Sequence, residues 1–272
     1  MCWPVGSDAS WKDAAVISEV APWPRPAFRP TGRRATVTFI AFADENFVGS
    51  GLDFELRDAV PPGAPVDALD VRRHTDADSA AWIDGFRTGG LRNIASHQLG
   101  DLDRLDSASS CYSITISVED PADLTYLQLA WAVASRIAAA GAVAVLDVHA
   151  VNWLAGSTVA SLSPRRPFVI QREVSIVAET EATPGFGYVV HTRGLIKFGS
   201  PDLVAGVPAD RIDHTGRILN HLAGMLADGH DLVRGQQLRF DAQRVLTVAT
   251  YTPDAITPDL ELNNEALLLV DV

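Results

Sequence analysis

Three side chains in the stretch HTRGLIKFGSPDL, residues 191–203, have the types that hold anions or move protons: His191, Arg193 and Lys197. Alternate residues of a strand point to one face. A strand over residues 189–198 would therefore set these three in a row with Leu195, leaving Val190, Thr192, Ile196 and Phe198 on the other side. A basic row of that kind can receive a carboxylate or a phosphate, or pair with the protein's own acids. Lys197 is one of only two lysines in a chain that otherwise uses arginine, which singles it out. The Gly-Ser-Pro-Asp that follows suits a tight turn, with Pro201 presetting φ and Asp202 able to accept from nearby amides.

A second candidate is His149, in AVLDVHA, with Asp147 and Asn152 close by. Ends of strands beside a helix are frequent binding positions, and alternation places Asp147 and His149 on one face. The simpler reading is a histidine satisfied within the fold. His214 and His221 are seven apart on one helix, about 10 Å along its axis, too far to share an ion. Neither HExxH nor CxxC occurs, so no metal is expected. Cys2 would become an N-terminal nucleophile if Met1 were removed, yet Trp3-Pro4 and a proline-rich run follow it where a core strand would be needed. Cys111 reads as a small buried hydrophobe. Glu179 and Glu181 in VAETEA could act as paired carboxylates or could simply be a solvated strand edge. GxGxxG, GxxxxGK[ST] and GxSxG are absent, and no cofactor is expected.

These residues need a frame to position them. Residues 1–34 carry prolines at 22, 24, 26 and 30 and read as an extended arm that docks on the body or binds a partner groove. ATVTFIAFA, residues 35–43, is β-branched and apolar enough for a buried strand. A further strand pair is expected over residues 47–59, and a short helix over residues 78–87, with no element assigned from there to Ser110.

The clearest unit is CYSITISVED, a helix, then AVAVLDVHAV. Asp120 is the expected N-cap and Pro121 the first helical residue. Leu124, Leu127, Trp131, Ala134 and Ala138 supply one apolar stripe, and Gly141 a left-handed stop. A second unit echoes it, with Pro-Ala-Asp recurring at 208–210, a face of Ile212, Thr215, Leu219, Leu222 and Leu226, and a stop at Gly229. The expected architecture is α+β: a single domain over residues 35–272 with a mixed, mostly antiparallel sheet and two main helices on one face. Residues 111–165 and 187–252 would be two related β-α-β halves.

From Cys111 onward, a closing glycine, AVAVLDVHAVNW and then HTRGLIKFGSPDL resemble an uncharacterised bacterial family of domains of unknown function with a "GL-KFG-PDL" phrase. That resemblance implies no activity and carries no residue role.

The net charge of −12 argues against nucleic acid and an anionic membrane as partners. Two distant cysteines and no eighteen-residue apolar run fit a reduced, cytoplasmic protein. The expected function is a non-enzymatic binding module, immunity-like, for a protein partner or a second copy of the chain. The alternative is a hydrolase with an unrecognised site built from His149, His191 or Cys2.

Overall fold

The computed structural model describes residues 20–43, 56, 58–75, 77–100, 102–240, 244–253, 257 and 260–271. Cys2 and most of the strand pair expected over residues 47–59 lie outside them.

The fold is α+β with mostly antiparallel strands, divided between two sheets where the sequence suggested one. The first contains β1 (Arg34–Ala43), β2 (Leu69–His74), β3 (Ser110–Glu119), β4 (Ala144–Asp147) and β5 (Asn152–Ala155) in the order β2-β3-β1-β4-β5. The second contains β6 (Ser175–Thr183), β7 (Gly187–Arg193), β8 (Asp202–Val207), β9 (Gln237–Arg239), β10 (Val245–Thr250) and β11 (Ala266–Asp271) in the order β6-β7-β8-β11-β10-β9. Every pairing is antiparallel except that of β8 with β11.

The helices are α1 (Ala77–Phe86), α2 (Gly89–Leu99), α3 (Asp103–Asp106), α4 (Thr125–Ala139), α5 (Gly156–Ala160) and α6 (Ile212–Ala227). β3 and β4, on either side of α4, both run antiparallel to β1 and so lie parallel to each other with β1 between them. On either side of α6, β8 and β9 also run parallel, but β11 and β10 separate them. The two units thus share a helical crossover and differ in strand order.

Helix α4 is buried nearly all round, with only Ser135, Arg136 and Ala139 outside the buried set, so the single-stripe expectation does not hold for it. It lies against β1 and β3, where the Trp131 ring sits 4.4 Å from that of Phe39, and α5 covers its other side. Helix α6 keeps one apolar face, including Thr215, Leu219, Leu222 and Leu226, on β6 to β8. One contiguous core runs from Val37 and Ile114 through Leu127 and Trp131 to Val190, Leu219 and Leu269, which ties both sheets to both helices. The other face of the first sheet is covered by α1, α2 and α3, which bury Ile83, Ala95 and Leu105 against Ile40, Phe42 and Leu146. The stretch between residues 88 and 110, unassigned from sequence, is therefore a helical cover. No helix among the described residues is long and apolar enough to cross a membrane.

Two local departures from the expected elements redirect charged side chains. Asp120 does not cap α4, which starts at Thr125; it sits at φ 44° and turns its carboxylate back to the arm. The strand expected over residues 189–198 ends at Arg193, because Gly194 adopts φ 111° and the chain enters a 3-10 turn, Leu195–Phe198.

Candidate functional site: a buried charge cluster between the sheets

The break at Gly194 decides where Lys197 goes. A Cβ at Gly194 would lie 2.6 Å from the Glu173 carbonyl oxygen, so only glycine lets these two segments approach. The turn then directs Lys197 inward, and its side chain is fully buried. Its ammonium donates to Asp147 Oδ2 and, at 3.1 Å, to Glu173 Oε2, both carboxylates being sealed as well. Trp131 Nε1 donates to Glu173 at 3.0 Å, and the Tyr126 hydroxyl donates to the Lys197 carbonyl. Asp147 comes from the first sheet, Lys197 and Glu173 from segments flanking strands of the second, and Trp131 and Tyr126 from α4. The cluster is where the two sheets and the central helix are joined by charge.

Burial disfavours the ammonium, but Asp147 and Glu173 outweigh it and hold the Lys197 pKa above the ordinary lysine value. Two carboxylates facing one ammonium leave a negative excess. Arg166 offsets it: its guanidinium lies between the Trp23 and Trp131 rings, 5.1 and 5.3 Å from their centres, close enough to Glu173 for their charges to interact. Burial pushes the Arg166 pKa down, and Glu173 opposes that shift.

Asp147 also shapes the following turn. Its Oδ1 accepts from the amides of His149 and Ala150, both at 3.1 Å, and Val151 is held at φ 52°, costly for a β-branched residue. Both ring nitrogens of His149 are sealed from solvent and have no hydrogen-bond partner among the described residues. Residues 260–265 close over this turn. Asn263 donates to the carbonyls of Val148 and His149, the Glu261 backbone carbonyl accepts from Arg193 at 2.8 Å, and Asn264 donates to Ser200 O and Asp202 Oδ2, both at 3.0 Å.

The four residues singled out in the sequence therefore separate. Lys197 and His149 meet around Asp147, and Arg193 lies at the rim under residues 260–265. His191 is buried elsewhere, with Nε2 2.9 Å from Glu179 Oε1. No basic row forms, since the alternation that would build it stops at Gly194. Glu173, Tyr126 and Arg166 carried no local signal in the sequence, and Trp131 read only as part of an apolar stripe; the scarcity of lysine and the closeness of Asp147 to His149 were the clues to the cluster. Among the described residues, no three His, Cys, Asp or Glu side chains are placed to hold one ion.

Burial lowers the His149 pKa from its ordinary 6.5, against the pull of Asp147. The unfolded chain then takes up the proton first, so the stability contributed by neutral His149 is complete above pH 6.5 and declines as pH falls below it. His149→Phe is expected to flatten that acid limb and, by removing two unsatisfied nitrogens, to leave stability equal or higher by about 1 kcal/mol at pH 8. Urea midpoints at pH 8 and pH 5.5 measure both effects.

The fold and the cluster define an α+β protein of two sheets keyed together by buried charges. No known protein family, no curated protein and no solved structure matches the chain. No residue role passes to it from another protein.

Proposed function

We propose that the protein is a non-enzymatic binding module, immunity-like, that captures a basic protein partner through its acidic exterior. One observation carries this reading. Among the described residues, the basic and acidic side chains in the buried set are equal in number, with Arg25, Lys197 and Arg244 against Asp147, Glu173 and Asp202. The net charge of −12 is therefore not offset by that set, and a chain of such charge can steer a cationic partner and speed encounter. The groups best suited to chemistry support the same reading, because Lys197, Asp147 and Glu173 are spent on one another out of reach of solvent. The Cys111 thiol is equally withdrawn, its pKa pushed up to about 12 by burial.

Biolayer interferometry on the immobilised protein tests this against matched panels of small basic and small acidic proteins. Saturable binding confined to basic proteins, with an on-rate that falls as salt is raised, is expected. Equal responses to both panels would sink the reading. So would turnover of ester, amide or phosphodiester substrates that is lost in His149→Phe, which would establish the hydrolase alternative.

A further inference from the structure

The turn that follows Lys197 also forms part of a groove. Phe198, Gly199 and Ser200 meet the proline-rich arm, the Asp120 corner and the end of α6 there. Phe28, Arg29, Thr31, Gly229, His230 and Asp231 continue the lining outward. The arm reaches this place because Gly229, at φ 100°, lets Phe28 come within 2.5 Å of where a Cβ would stand.

The charges in the groove are not equally engaged. Asp120 is already occupied, with Oδ1 accepting from the Thr31 amide and Oδ2 from the Gly32 amide, each at 2.8 Å. Asp231 is paired with Arg33 at 2.8 Å. Arg25, at the floor and only 8% exposed, forms no ion pair among the described residues, although the charges of Asp120 and Asp228 act on it; it donates to the carbonyls of Ala227, Pro121, Phe198 and Leu226. A guanidinium has five N–H groups, so one of its donors is left unassigned. Arg29 makes no hydrogen bond or ion pair with any described residue, and the ring of exposed His230 is likewise free. Arg25, Arg29 and Arg33 stand against Asp120 and Asp231, with Asp228 acting on Arg25, so the charges balance and Arg29 is left as an uncommitted cation among the described residues.

We propose that this groove binds a compact oxyanion, a phosphate or carboxylate group of a small molecule, with Arg29 and His230 on its walls and the remaining Arg25 donor at its floor. Guanidinium groups present paired donors at the spacing of such oxygens. An anion there touches arm and body at once, so its binding free energy adds to the docking of the arm.

Thermal unfolding at matched ionic strength tests the assignment, with inorganic phosphate, acetate and chloride titrated in parallel. Phosphate, acetate or both should raise Tm saturably above chloride, and whichever saturates identifies the ligand chemistry. Arg29→Gln should weaken that apparent affinity about tenfold, with its Tm in chloride unchanged because the residue is exposed. Arg239→Gln, on exposed β9, should titrate like the parent. No excess over chloride for either oxyanion, or an undiminished response in Arg29→Gln, would overturn the proposal.

Discussion

Lys197→Met is expected to cost about 3–5 kcal/mol at neutral pH, read as a fall in the urea midpoint. Methionine fills most of the volume of the lysine stem, so the loss is not mainly a cavity. It comes from leaving Asp147 and Glu173 facing each other in a sealed site with no ammonium between them. Desolvation then favours their neutral acids, and the deficit should narrow as pH is lowered. Removing the charges together, with Lys197→Met, Asp147→Asn and Glu173→Gln in one chain, should recover much of it, because a neutral site carries no unpaired ion. In the parent the sign runs the other way. The folded Lys197 pKa is raised, so its contribution is complete below the ordinary lysine value of 10.5 and is lost only as pH climbs through the folded value. A single Lys197→Met variant within about 1 kcal/mol of the parent would mean that the cluster contributes little to joining the sheets.

The elements that could be read from sequence are those whose signal is local. β1 was legible because ATVTFIAFA is β-branched and apolar, and it runs over Arg34–Ala43. Helix α6 was legible because Thr215, Leu219, Leu222 and Leu226 repeat at helical spacing and do form its buried face. Helix α4 gave the same signal, yet nearly every position is buried. An apolar stripe shows that one side is covered and says nothing about the other when Ala130, Ala132 and Val133 are apolar too. Helix α2 was missed because GGLRNIASHQL opens on two glycines and buries only Ala95.

The site was less legible than the fold for a physical reason. Its members belong to distant segments, and each looks ordinary where it stands. Glu173 sits in QREVSI and reads as surface charge until Lys197, twenty-four residues away, is placed against it. Gly194 was seen as part of an alternating strand, although its positive φ and the closeness of the Glu173 carbonyl end that alternation and send Lys197 inward. Asp120 had a sufficient local explanation as a helix cap. That explanation is wrong because two amides of the arm, Thr31 and Gly32, compete for the same carboxylate.

Arg25→Met is expected to lower stability by about 2–4 kcal/mol and to release the arm. Burial pushes the guanidinium pKa down from the ordinary arginine value. What holds it in place is the ring of four carbonyls, two of which, Leu226 and Ala227, belong to the last turn of α6. A cation there also meets the negative end of the helix dipole. Loss of the guanidinium takes a donor from each of those oxygens, although the Leu226 carbonyl still accepts from the Gly229 amide, and the arm keeps further ties through Trp23, Ala27, Thr31, Gly32 and Arg33. The Ala27 amide donates to the Asp228 carbonyl at 2.9 Å, the Trp23 amide to Gln128 Oε1 at 2.9 Å, and Gln128 Nε2 to the Ala21 carbonyl at 3.0 Å. Undocking lets water reach the carbonyls and caps the loss, so the clearer readout is limited proteolysis. Trypsin cleavage after Arg33, the bond after Arg29 being protected by Pro30, should accelerate strongly in Arg25→Met and less in Asp120→Asn, whose side chain keeps one acceptor for the Thr31 or Gly32 amide. That second grip should also loosen in acid, because the arm's amides hold the Asp120 pKa below the usual carboxylate value and protonation removes the acceptor they prefer. If Arg25→Met lowers stability while cleavage stays at the parental rate, the guanidinium serves the end of α6 alone and the arm is held by Trp23 and Asp120.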